Sequence, residues 1–387
     1  MNTVSNYFYV TGGCLHPDAP SYIERQADRE LYDGLIKSEF CHIITARQRG
    51  KSSIMVHTAR RLRDKGIHVV ALDLCAIGWN VTPDQWYEGL SFFVGDQLRL
   101  DDECEEFWQS KKQLQPLQRF MTCLREVIMP RLPGSVVIFI ENLEMVLSLP
   151  FCADEFFSAI HEWYNHRTVD SEFNRLTFCL LSEVMVRDLI RDTSITLFDT
   201  GRRIDLDDFT PDQAAPLANG LRREVQPPAG FFEQVLHWIS GYSIFDPSAA
   251  PEVRLLKRIL HWTNGHPYLT QILCRAVAQD SSVSTCRDVD RLCKDLFLSN
   301  RAEDRQDNLI FVRSRLLPYG REKTADLLRL YESVWRGKSV HDDEANPVVR
   351  LLRMSGVVRV VAGRLQVRNR IYQRVFNSAW MRTNLPG

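Results

Sequence analysis

Gly50-Lys51-Ser52 sets a flexible backbone position, an ammonium and a hydroxyl side by side. The triplet closes a polar loop, Thr45-Ala46-Arg47-Gln48-Arg49, that leaves an apolar run at 40–45 and opens a helical pattern at 52–65. A strand–loop–helix of this kind cradles a phosphate chain. Gly50 would let main-chain N–H groups close around a β-phosphate, Lys51 would neutralise β- and γ-oxygens, and the Ser52 hydroxyl would ligate Mg²⁺. Ser53 follows in the first turn, and the helix N-terminus adds its dipole. Thr45 stands where such loops usually carry their first glycine, which suits a loop with no positive φ at that point. Gly-Lys-Ser alone is common by chance; the strand before it and the helix after it make the signal specific.

Phosphate chemistry with Mg²⁺ needs a carboxylate at the end of a neighbouring strand. The run 136–140 is apolar at every position and is followed by Glu141, about 90 residues after Lys51. Glu141 is therefore the expected magnesium ligand, through water, alongside Ser52. The next position usually carries the acid that activates water. Here it is Asn142, whose amide can orient water but cannot take its proton. Glu144 is the nearest other carboxylate, so Asn142 and Glu144 are the candidate catalytic positions for slow or absent hydrolysis.

These residues need a frame. Apolar runs at 40–45, 68–74, 136–140, 176–181 and 203–206 alternate with amphipathic stretches at 52–65, 83–98, 113–129, 154–166 and 185–191. Strands separated by such helices imply β-α-β units and a parallel sheet with flanking helices. Thr210-Pro211-Asp212 then reads as a helix start. Helical patterns continue to about residue 317, broken at Pro227-Pro228, Gly241 and the 264–267 turn. Apolar runs at 357–361 and 364–367 around Ala362-Gly363 signal a hairpin, with helices before and after it. The expected fold is an α/β P-loop NTPase followed by a helical region and a C-terminal winged helix-turn-helix. The expected segments are 1–36; 37–207, the core; 208–300, helical; and 301–387, the winged helix.

Composition agrees with such a protein. The chain has 387 residues, 44% hydrophobic and 25% charged, with a net charge of -1. That supports packed cores and excludes a globally basic nucleic-acid coat. The ten cysteines include no C-x-x-C pair, which disfavours a zinc ribbon or a thioredoxin-like site and suits reduced thiols in the cytoplasm. No secretory signal is expected in the first twenty residues, and no apolar run approaches the roughly 18 residues of a membrane helix. His161 and His166 lie five apart rather than the four of a zinc-protease helix. The acidic run 101–106 reads as a solvated segment. From 345 to 387 there are eight arginines and no acid. Such a segment can meet nucleic-acid phosphates, or pair with acids elsewhere in the chain.

The sequence resembles the AAA-like P-loop ATPases of the STAND class, in particular an AAA-like family abundant in cyanobacteria. The likeness is carried by the stretch from Gly13 to Asp28, by the loop from Thr45 to Ser53, by Phe139-Ile140-Glu141-Asn142-Leu143-Glu144, by Gly265-His266-Pro267-Tyr268-Leu269-Thr270 and by Val367-Arg368-Asn369-Arg370-Ile371-Tyr372. The family does not require a glycine at Thr45, and it usually shows Asp-Glu where Glu141-Asn142 stands. The resemblance implies ATP or ADP as ligand, with 1–36 as a nucleotide clasp and 208–300 as a helical lid. It implies that Arg25 lines the nucleotide pocket and that Pro267 packs on the adenine. Arg202 is either a γ-phosphate sensor or an ordinary strand-flanking arginine. The function implied is a switch in which nucleotide state sets the lid and winged helix and controls a protein partner, an effector in trans or a homo-oligomer. The alternative is a DNA-associated AAA+-type ATPase with the basic C-terminal segment on the duplex.

Overall fold

The computed structural model describes residues 8–192, 195–222, 250–299, 302–318 and 320–386. The expected breaks at Pro227-Pro228 and Gly241 lie outside these residues. The chain divides into two compact units. One comprises Gln26–Thr45 and Lys51–Leu206; the other comprises 1–25, Ala46–Gly50 and Asp207–Gly387.

The first unit is an α/β layer structure. Strands β1 (Cys41–Ile44), β2 (His68–Asp73), β3 (Val136–Glu141), β4 (Leu176–Ser182) and β5 (Arg202–Arg203) form a parallel sheet in the order β2-β3-β4-β1-β5. Its helices include α1 (Gln26–Ile36), α2 (Lys51–Asp64), α3 (Pro83–Leu98), α4 (Asp101–Ser110), α5 (Pro116–Cys123) and α6 (Asp154–His166). β3 is apolar at each position down to Ile140 because both of its faces are covered. Val137 and Phe139 pack with Leu31 and Leu35 of α1 and Ile54 and Leu62 of α2. Val136, Ile138 and Ile140 pack with Leu90, Phe120 and Phe156 of α3, α5 and α6.

The acidic run 101–106, read as a solvated segment, is the start of α4, where Cys104 and Trp108 at i, i+4 bury one face while the acids keep the other in water. Other elements depart from the sequence pattern. The pattern at 113–129 is broken by a π-helical turn at Leu124–Ile128 after α5. The fifth strand shrinks to Arg202–Arg203.

The second unit is mainly helical. It includes α7 (Pro251–Thr263), α8 (Pro267–Gln279), α9 (Cys286–Phe297), α10 (Asp307–Leu316), α11 (Arg321–Trp335) and α12 (Pro347–Met354). The antiparallel hairpin β6 (Val358–Val361) and β7 (Arg364–Val367) follows, then α13 (Arg370–Val375) and α14 (Ser378–Asn384). Ala362 and Gly363 both have positive φ, as a two-residue turn of this kind requires. One apolar cluster runs through the whole unit, from Leu256 and Leu273 through Phe297 and Leu328 to Val358 and Tyr372. The α7–α8 turn is set by Asn264 and Gly265, both at positive φ. A Cβ at Gly265 would lie 2.0 Å from the Phe209 carbonyl oxygen, so only glycine fits there.

Candidate phosphate-loop site

In a parallel sheet all strand C-termini share one edge, where α/β proteins bind ligands. Here that edge carries Asp73, Glu141 and Ser182, with Asp73 opposite Glu141 in the β2–β3 register. Thr45 leaves the edge after β1, its N–H donating to the Ser182 carbonyl at 3.1 Å. Lys51 and Ser52 begin α2. Ser52 lies beside the Glu141 carboxylate. Burial raises the Glu141 pKa, while Ser52 and Lys51 oppose the rise. Lys51 is 7% exposed, and its Nζ donates to Glu183 Oε1 at 3.1 Å. Ser53 and Ile54 point into the protein and anchor the first turn.

These donors fit Mg²⁺. A hydroxyl and carboxylates are hard oxygen ligands, and Mg²⁺ is commonly held by one or two carboxylates together with substrate phosphates. Among the described residues no three His, Cys, Asp or Glu side chains are gathered to hold a metal without such help.

Asn142 occupies the left-handed region at φ 57, which Asn tolerates better than most residues. Its Nδ2 donates to Asp73 Oδ1 at 2.7 Å. Glu144 Oε2 accepts from the Glu183 N–H at 3.0 Å and the Ser182 hydroxyl at 3.3 Å, so this carboxylate clamps the start of the loop after β4. Arg202 is at the wrong end of the sheet for a phosphate sensor. It pairs with Cys41, the first residue of β1, whereas the phosphate loop leaves after Ile44, the last. Its guanidinium bonds Glu39 at 3.0 Å, the strand-flanking alternative.

The loop residues 46–50 belong to the second unit. Gly50 has φ +87, and a Cβ there would lie 3.0 Å from the Arg25 guanidinium. Arg25 donates to the Arg49 carbonyl at 3.0 Å and the Asp207 carbonyl at 3.2 Å. It thus props the loop backbone, with its guanidinium 5.7 Å from the Phe209 ring centroid. Ala46 lies close to Gly356, and Arg47 stacks over Phe311 at 5.8 Å. Gln48, at φ 63, accepts from Asn308 Nδ2 at 2.7 Å.

Arg49 is 3% exposed and pairs with Asp208, whose other oxygen takes Arg368. Burial would raise the Asp208 carboxyl, but Arg49 and then Arg368 outweigh it and bring it to about 2. Burial first, then Arg368, lower Arg49 to about 10 despite Asp208, so it stays charged at neutral pH.

Pro267 is buried at the first turn of α8, behind the cap residue His266. His266 Nδ1 accepts from the Leu269 N–H, which leaves Nε2 as donor to the Tyr372 hydroxyl at 3.3 Å. Tyr372 donates to Asn308 Oδ1 at 2.7 Å, and Asn308 donates to Gln48. The line His266–Tyr372–Asn308–Gln48 is therefore ordered in one direction. Burial lowers His266 to about 3, so it is neutral. Asp73, Glu183, Asp208 and Asn308 carry no local motif, and sequence reasoning missed the part each plays here; Tyr372 ends the stretch from Val367 that carries the family likeness, without a role assigned from sequence.

The parallel sheet, with Lys51 and Ser52 opening α2 and with Asp73 and Glu141 at the ends of β2 and β3, defines an α/β P-loop NTPase fold. Residues 10–378 match the AAA-like domain family, and the chain belongs to that family. It is 31% identical over 398 residues to a WD repeat-containing protein of Synechocystis sp., covering 100% of this chain and 31% of that protein. The chain thus spans 31% of the length of the curated relative it matches. The fold is similar to that of a Walker-type ATPase of Pyrococcus abyssi, with TM-score 0.54, 14% identity and coverage of 95% and 99% of the two chains. The ORC2 protein of Aeropyrum pernix gives TM-score 0.43 at 11% identity, covering 98% and 99%. No described helix is long and apolar enough to cross a membrane.

Proposed function

We propose that this chain is a STAND-type switch that binds ATP or ADP with Mg²⁺ and turns ATP over slowly. The observation that carries the proposal is the strand–loop–helix from Ile44 to Ser52, with Gly50 at positive φ and Ser52 beside Glu141. Main-chain N–H groups of Ala46, Arg47, Gln48, Arg49 and Gly50 would take the phosphates, and Lys51 would exchange Glu183 for them. Ser52 and Glu141 would hold Mg²⁺, which when bound neutralises charge on the β- and γ-oxygens. Arg25 supports the loop from behind, and Pro267 is the proposed adenine wall.

Slow turnover follows from Asn142, which donates to Asp73 and cannot accept a proton. The switch acts through the loop itself. Gln48 and Arg49 tie it to Asn308 and Asp208, and these hold Tyr372 and Arg368 of the C-terminal segment, read here as a winged helix beyond a helical lid. A phosphate that re-orders residues 46–50 biases those contacts, and a ligand shifts such an equilibrium only by its differential affinity for the two states. The downstream event is assembly with a protein partner or with further copies of this chain.

Nucleic-acid binding by 345–387 has less support, because Arg353 is paired with Asp342 and Glu344, and Arg368 with Asp208.

Calorimetry with Mg-ATP and Mg-ADP tests the reading. Binding that disappears in Lys51→Ala is expected; no heat and no thermal shift with either nucleotide would overturn it.

A further inference from the structure

The second unit contains a cavity of about 450 Å³ that no residue of the phosphate loop lines. The C-terminus of α7, the segment after α11, the β6–β7 hairpin and the start of α13 enclose it. Its charge is one-sided. Lys338, Arg359, Arg364 and Arg370 line it, and no Asp or Glu does. The hairpin register places the two strand arginines on one face, since Arg359 pairs with Gln366 and Val361 with Arg364, two residues along each strand. Among the described residues none of these four cations has a carboxylate partner, whereas Arg368, which also lines the cavity, is paired with Asp208.

The cavity's buried polar atoms carry a second, independent signal. Asn264 Nδ2, Arg359 Nε and Asn369 Nδ2 are buried without a hydrogen-bond partner. Asn369 as a whole is 5% exposed. Its Oδ1 is used, accepting from the Tyr372 N–H at 2.8 Å, so the idle atom is the donor. All three unsatisfied groups are donors. A buried donor left unpaired keeps its desolvation cost with nothing to offset it, so three in one cavity call for an acceptor-rich occupant. Burial, then Arg370 and Arg258, also hold the His261 imidazole on the same wall below its usual value.

We propose that this cavity binds a small phosphate-bearing anion, at a second site that does not depend on the phosphate loop. The volume is that of a small-molecule pocket, in the range of roughly 300–1,000 Å³. Recessed donors such as Asn369 suit a ligand that enters the cavity rather than a duplex lying across its mouth. The planar, multi-donor guanidinium groups of Arg359 and Arg364 match phosphate oxygens.

The test uses the full chain carrying Lys51→Ala, which removes the loop site, and inorganic tripolyphosphate as probe. Calorimetry at low salt should show saturable binding that weakens by about tenfold or more in Arg359→Gln/Arg364→Gln. Asn369→Asp keeps the cap on Tyr372 but turns the donor into a carboxylate oxygen, so it should retain the melting temperature of the unliganded protein and lose tripolyphosphate. A Lys51→Ala protein that gives no heat at millimolar tripolyphosphate overturns the proposal. Affinity unchanged from the Lys51→Ala parent in both cavity variants overturns it too. So does binding of a short DNA duplex that is lost in Arg359→Gln/Arg364→Gln and that tripolyphosphate fails to displace, because it assigns the arginines to nucleic acid. Loss of nucleotide binding in Lys51→Ala with tripolyphosphate binding intact separates this site from the loop.

Discussion

Arg368 donates from Nη1 to Oδ2 of Asp208 at 2.9 Å, although 160 residues of chain separate them. The other oxygen of that carboxylate holds Arg49, the residue before the loop glycine. One buried acid therefore joins the phosphate loop to the turn between β7 and α13.

Removing that acid leaves two buried guanidinium groups facing each other. Breaking a buried ion pair from one side is destabilising by about 3–5 kcal/mol. Asp208→Asn is expected to lose stability of that order and to loosen residues 46–50. Urea denaturation and hydrogen exchange over the loop are the measurements; an unchanged denaturation midpoint would show that the pairing contributes nothing.

Lys51 cannot serve Glu183 and a phosphate equally. In Glu183→Gln the counter-charge is gone while the side chain keeps its size. Mg-ADP should bind about tenfold tighter at low salt, with the gain shrinking as salt screens it. Calorimetry at two ionic strengths reads this directly. Weaker binding in the variant would mean that Glu183 positions Lys51 rather than competing for it.

Asn142 combines a chemical deficit with a backbone demand. Asn142→Glu restores a carboxylate at that position but places a longer side chain at φ 57, with a stability loss of about 1 kcal/mol. If the missing base limits hydrolysis, phosphate release should rise by about tenfold or more. An unchanged rate would shift attention to Glu144 or to product release.

Acid should weaken the protein before its carboxylates titrate. His266 is held at about 3 and His42 at about 4, in each case chiefly by burial. An unfolded histidine titrates near about 6.5, so between that pH and the folded values the unfolded chain binds more protons and stability rises with pH. Each histidine then accounts for a loss of about 1.4 kcal/mol per pH unit on acidification through that window. Asp208 acts lower down: its contribution is present above about 3.8 and disappears as pH falls toward 2. Denaturation midpoints measured across the window should show the slope, reduced by about one proton in His266→Gln. An equal slope in that variant would show that His266 does not charge on unfolding.

Much of the phosphate-loop site is legible in the linear chain because its logic is local. A strand, a glycine-closed loop and a helix start are consecutive, so Gly50, Lys51 and Ser52 announce themselves. The continuous apolar run ending at Glu141 likewise reports a strand covered on both faces. Periodicity is weaker at 101–106, where the acids outnumber the two residues, Cys104 and Trp108, that pin the helix.

Partners across the chain were decided only by the fold. Glu183 meets Lys51 over 132 residues because β4 lies beside β1 in the sheet, an order that no single strand encodes. The same neighbour rules fix Arg202 at the start of β1 and so remove it from the phosphates. Asn308, Tyr372 and Asp208 are ordinary residues in sequence. They become a relay and a latch when packing brings them to Gln48 and Arg49. A chain's local spacing specifies which atoms can bind phosphate; burial and strand order, which depend on contacts far apart in sequence, specify what holds those atoms in place.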